Sequence, residues 1–375
     1  MTTQSKSLIS TAATLGAIVA LASAVAQAQS GAANQAAPAR LYRTYGKKAS
    51  EVYRNIQVLK DIDCTELIPT MQYMADSLGV GCDFCHVPSG SYKDEKAMKL
   101  VARKMILMTR EINKNHFGGE KTVSCTVCHR GAALPVSYLA IAEEGSGRAV
   151  EAEGHRTARL PAADQILDKY LEAVGGAAAV ERIATRVERG TFISGDNRLP
   201  LEIYSKSPNK RAVVTHGPNG DVISGFNGTA GWIEITASSP PGRDLTPSEI
   251  AAEKLDADLK FALHARELLK GLSVLPPEEI DGKQMYVVSG KPENMRPARL
   301  YFDEQTGLLA RVLRYIEVPL GFTPEQTDYA DYREVGGVKI PFRITQARVS
   351  GRSVIQIDTV QQNGPIDESR FSHSR

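Results

Sequence analysis

Two short segments of this chain carry residues able to do more than fold. Residues 82–86 read Cys-Asp-Phe-Cys-His and residues 125–129 read Cys-Thr-Val-Cys-His. Both are C-x-x-C-H, the pattern of covalent haem c attachment. Its parts have separate tasks. The thiols of Cys82 and Cys85, and of Cys125 and Cys128, add across haem vinyl groups to form thioethers. The adjacent imidazole, His86 or His129, is placed on the iron by the same short turn. A zinc site or a redox dithiol does not call for a His directly after each cysteine pair. The sequence therefore predicts two covalently bound haem c groups. The fifth cysteine, Cys64, stands alone between Asp63 and Thr65 and reads as a buried or free thiol near a helix start.

A second axial ligand has to come from elsewhere, and methionine thioether is a common one in cytochromes c. Residues 65–78 form a helix candidate, with Thr65 as an N-cap and Gly79 at the end. Met71 and Met74 lie three apart on one side of it. Residues 93–115 form a second candidate, placing Met98, Val101, Met105, Met108 and Ile112 on one stripe. A methionine stripe is usually core, but each of these helices runs directly into a haem motif. His116 lies between the second stripe and the second motif. It reads as a surface residue, with iron ligation as the lesser alternative.

The residues from Met71 through Met74 and Gly79 to the first C-x-x-C-H resemble a haem segment of the photosynthetic reaction-centre cytochrome c subunit. So do residues 102–113 followed by 123–131. In that family a Met-bearing helix, a tight turn and C-x-x-C-H repeat as a unit. The resemblance covers about residues 45–136. It implies that Met71 ligates the first iron opposite His86, and Met105 the second opposite His129. It further implies an electron carrier acting between redox partner proteins, among them a membrane-bound photosynthetic or respiratory complex. That family usually has four haems in two pairs, whereas this chain has one pair of motifs. Farther on, residues 298–309 and 328–342 look like the open half-barrel of periplasmic lipoprotein-carrier proteins, which implies a curved antiparallel sheet able to hold an apolar ligand.

The elements that must position these groups fall into two blocks. Residues 41–139 read as helices and loops, the expected dihaem cytochrome c domain. Residues 140–160 are polar and small and read as a protease-sensitive linker. Residues 161–375 open with an amphipathic helix over 163–174 closed by Gly175-Gly176. Short runs rich in Val, Ile, Tyr and Phe follow at 201–205, 212–215, 285–289, 298–302, 308–315, 338–345 and 354–360, as strands require. A charged helical stretch at 247–269 interrupts them. Trp232 falls in a turn-like stretch, with its ring expected over a sheet face or pocket. The expected fold class is α+β: a mostly helical cytochrome domain, then an antiparallel β half-barrel with flanking helices.

Ahead of both blocks, residues 1–28 read as a secretory signal, with Lys6 as the only charge, an apolar run and Ala26-Gln27-Ala28 at the cleavage point. Export predicts a periplasmic or other extracytoplasmic location. The chain of 375 residues has 45 Lys+Arg and 43 Asp+Glu, a net charge of +2, which excludes a strongly basic nucleic-acid binder. No hydrolase elbow, phosphate loop or zinc-protease motif is present. An electron carrier is the leading reading. A haem enzyme of peroxidase or nitrogen-oxide reductase type needs one iron left open. A hydrophobe-binding module with haem redox sensing is the third reading.

Overall fold

The structure is a computed structural model and describes residues 46–135, 160–236 and 242–373. The signal segment, the leader after it and all but residue 160 of the expected linker lie outside the described residues. No helix among the described residues is long and apolar enough to cross a membrane.

The first block is helical. After a single turn, α1 (Ala49–Val52), a 3₁₀ turn at Cys64–Glu66 leads into α2 (Leu67–Leu78). Asp63, not Thr65, caps this start: its carboxylate accepts from the Thr65 N–H at 2.9 Å. The helix stops at Gly79, which is left-handed (φ +66°), and Val80 N–H donates back to Ala75 O at 3.1 Å. α3 (Ala97–His116) is the longest helix, and it starts later than the 93–115 expected. α4 (Cys125–His129) is the second haem motif itself.

The second block begins with α5 (Ala163–Ala173), as the amphipathic pattern predicts, and a short α6 (Ala177–Glu181). One antiparallel sheet follows: β1 (Thr185–Ser194), β2 (Asn197–Lys206), β3 (Lys210–Gly217), β4 (Gly220–Phe226), β5 (Gly231–Ile235) and β6 (Gly242–Asp244). The chain then crosses as α7 (Pro247–Asp256) and α8 (Phe261–Leu268), so the charged stretch is two helices and not one. The sheet resumes as β7 (Leu269–Ile280), β8 (Lys283–Pro292), β9 (Ala298–Asp303), β10 (Leu309–Val318), β11 (Gly321–Val335), β12 (Val338–Arg348) and β13 (Gly351–Gln362).

The spatial order is β6-β5-β4-β3-β2-β1-β13-β12-β11-β10-β9-β8-β7. β6 and β7 are therefore opposite edges, and the segment joining them must traverse the sheet. That forces α7 and α8 across one face. A single apolar cluster takes Ile166 and Leu167 from α5, Ala265 from α8, and strand residues as far apart as Ile233 and Val288. One shared core between both wings requires a curved sheet wrapped around helices, which is the half-barrel. Trp232 corrects the turn reading: it is a buried strand residue on β5, its ring lying over Gly225, where a Cβ would come within 2.4 Å.

Candidate haem sites

The first motif is a tight turn. A 3₁₀ turn at Cys82–Phe84 brings His86 N–H to Cys82 O at 3.0 Å, so both thiols and the imidazole come from one loop. The second motif does the same with a helical turn, α4, ended by Arg130 in the left-handed region (φ +50°). All four motif cysteines are free thiols.

The two histidines are oriented alike. His86 Nδ1 is 2.9 Å from Ser91 O, and His129 Nδ1 is 3.0 Å from Ala132 O. A carbonyl can only accept, so each bond places a proton on Nδ1, and in the neutral ring the lone pair is then on Nε2. This is how a metal-ligating imidazole is usually held. Burial lowers the His86 pKa, with the cations Lys99 and Arg103 acting in the same direction, and the neutral, ligating form is favoured. Burial also raises the Cys82, Cys85 and Cys125 thiols.

The two methionine helices differ in how far their methionines are exposed. On α2, Tyr73, Thr70 and Ser77 point into the protein, while Met71 shares its side with Ala75 and Leu78 at helical spacing and is only half-buried. Met74 is half-buried too, and both methionines pack against the apolar cluster of Ala49, Leu67 and Tyr73. On α3 the buried residues are Ile106, Thr109 and Asn113. Met98, Val101, Met105 and Met108 are all exposed on the neighbouring stripe. Among the described residues, eleven of the thirteen exposed large apolar side chains belong to the first block. Such a concentration in a small domain marks a surface meant to be covered. With two free dithiols and two pre-oriented imidazoles, the residues present fit two haem groups.

Backbone contacts that no motif announces bring the two sites together. Gly131 N–H, directly after the second motif, donates to Ser77 O of α2 at 2.9 Å. Gly79 lies so close to Gly131 that a Cβ there would sit 2.1 Å from the Gly131 carbonyl oxygen. The exit of the second motif thus packs on the helix end that enters the first. Asn113 holds the second entrance: its amide donates to Val123 O at 2.7 Å and accepts from Val123 N–H at 2.9 Å. Asp94 ties α3 to the first loop through Arg103 at 2.9 Å and Lys99 at 2.9 Å, and these cations hold its carboxyl well below the usual range. His116 ends α3 as an exposed residue, and Cys64 is buried.

Residues 12–166 match the family described as photosynthetic reaction centre cytochrome C subunit. The first block of this chain is similar to that family. The photosynthetic reaction center cytochrome c subunit of Thermochromatium tepidum is 40% identical over 105 residues, 27% of this chain and 26% of that protein. That of Roseobacter denitrificans is 36% identical over 97 residues, 23% of this chain and 26% of the relative. Cytochrome c-554 of Chloroflexus aurantiacus is 32% identical over 84 residues, 21% of this chain and 20% of that one. The chain thus spans about a quarter of the length of these curated relatives. The second block lies over a LolA superfamily protein from Nitrosomonas europaea with TM-score 0.40 and 14% identity, covering 57% of this chain and 99% of that one.

Proposed function

We propose that the first block is a dihaem c-type cytochrome that passes single electrons between redox partner proteins. Haem iron, when bound, supplies the one-electron couple. The chain's own residues do the rest. Cys82, Cys85, Cys125 and Cys128 anchor the groups as thioethers. His86 and His129 present Nε2, held by the carbonyls of Ser91 and Ala132. Met71 and Met105 would be the thioether ligands of the bound groups, an arrangement that favours a carrier over a haem enzyme. The observation that carries this reading is the pair of Nδ1–carbonyl bonds that orient His86 and His129 alike, one in each C-x-x-C-H motif.

A membrane-bound photosynthetic or respiratory complex is the proposed class of partner, with the mature protein in the periplasm after removal of residues 1–28. An apolar ligand in the second block has one support, a cavity of about 180 Å³ whose wall includes Leu259, Leu300 and Val338, beside the charged Asp256, Arg314 and Lys339.

The purified protein should show an intact mass with two haem additions and an N-terminus at Gln29. Met71→Ala and Met105→Ala should each open one iron to carbon monoxide and lower one midpoint potential. Met74→Ala and Met108→Ala should do neither. One haem per chain, or two potentials unmoved by either Met→Ala change, would refute the assignment.

A further inference from the structure

The second block reaches into the first. The turn between β10 and β11 places Val318 and Leu320 in the same apolar cluster as Ala49, Leu59, Leu67, Tyr73 and Ile106, with Met71, Met74 and Cys125 packed against it. Both turn residues are only 3% exposed, so they are core residues of the haem-bearing block although they lie some 200 positions away in sequence.

Tyr73 and Lys121 of the first block fix this turn. Gly321 backs directly onto Tyr73 of α2, and a Cβ there would come within 2.3 Å of the Tyr73 hydroxyl, 2.6 Å of Cζ and 3.1 Å of Cε1. Lys121, four residues before Cys125, donates to the Glu317 carboxylate at 2.6 Å and to Val318 O at 2.9 Å. At the turn between β12 and β13, Arg348 and Ser350 act to lower the pKa of Asp76 on α2, against the burial that raises it. Tyr73 and Asp76 project from the side of α2 away from Met71, so the end of the sheet seats the back of the helix whose front carries the proposed ligand.

We propose that the turn at Val318, Pro319, Leu320 and Gly321 is a seat that fixes α2 and the entrance to the second haem motif together. Tyr73, Gly321, Lys121 and Glu317 are then positioning residues that set both haem potentials. This inference rests on the dihaem reading above. It gives the second block a task in electron transfer that needs no ligand of its own.

The test uses the full-length, haem-loaded protein. Redox titration followed in the visible range resolves the two potentials and the weak thioether–iron band of the oxidised state, and thermal unfolding is read beside it. Gly321→Ala should shift the first potential downward and weaken that band. Adding Tyr73→Leu, which removes the three atoms the new methyl meets, should restore both. Lys121→Glu should shift the second potential, and Lys121→Glu with Glu317→Lys should restore it. Should Gly321→Ala fail to load haem, the charge swap carries the test alone. Potentials and band unchanged in the folded single variants, with only the unfolding temperature lowered, would overturn the proposal. Met71→Ala in the same titration separates the two levels. No change there refutes the ligand reading, whereas a change there with none at Gly321 and Lys121 refutes only the seat.

Discussion

Two residues that touch no metal decide whether the haem motifs meet. Gly79 is left-handed and in close approach to Gly131. Gly79→Ala should cost about 1–2 kcal/mol for the backbone conformation alone. It should cost more for the displaced Gly131 carbonyl, seen as a lower midpoint in chemical denaturation. Asn113 pairs both backbone groups of Val123. Asn113→Ala should cost about 1–3 kcal/mol by leaving the N–H and the carbonyl unpaired. Asn113→Asp, which still accepts from the N–H, should cost less; equal losses for both would dismiss the pairing. At this scale the sequence was legible where chemistry is local. The C-x-x-C-H turns and the methionines at helical spacing announce themselves. The Gly131–Ser77 and Asn113–Val123 bonds do not, because they depend on backbone groups every residue owns and on how distant turns happen to meet.

Among elements, α7 is the most informative, because it buries charge on the concave face. Arg314 of β10 makes two bonds of 2.8 Å to Asp256 and one of 3.0 Å to Glu325, and Arg243 grips Glu249 at 2.6 and 2.7 Å. Both arginines are deeply buried, and the ion pairing outweighs desolvation for Asp256 and Glu249, whose pKa values are lowered. Arg314→Ala should therefore cost about 3–5 kcal/mol, the usual result of leaving a buried partner unpaired. Glu253 behaves oppositely. Burial raises its pKa more than Arg211, 3.6 Å away, can lower it. A carboxyl raised on folding stabilises the protonated protein, and that contribution is lost as pH rises through its folded pKa. Glu253→Gln should thus cost little and should gain on the parent as pH is raised, measured as unfolding midpoints from pH 5 to 8. A variant that lost ground with rising pH would contradict this. The strand elements show where pattern reading runs out. β2, β3, β8, β9, β10, β12 and β13 carry runs rich in Val, Ile, Leu, Tyr and Phe and were legible. β7 was not: it is an edge strand carrying Pro276, Pro277, Glu278 and Glu279, with register shifts after Lys270 and Leu275. Prolines and charges are what an exposed edge tolerates and what a strand search rejects.

For the whole molecule, the cluster around Val318 and Leu320 makes the two blocks share a core. Cleavage within residues 136–159 should therefore leave the two fragments together in gel filtration. Leu320→Asp in the same nicked protein should let the red fragment elute alone. Separation without that substitution would show the contact to be weak. The sheet adds a different consequence. β1 to β6 form one meander and β7 to β12 another, and β13, the last strand of the chain, lies between β1 and β12 and pairs with both. Synthesis from the N-terminus delivers both cysteine motifs early and this joining strand late. Loop-closing pairings of such long range are slow to form. On the proposed dihaem reading, the thiols of residues 82–128 would then be available to haem while the scaffold behind them is still in two pieces.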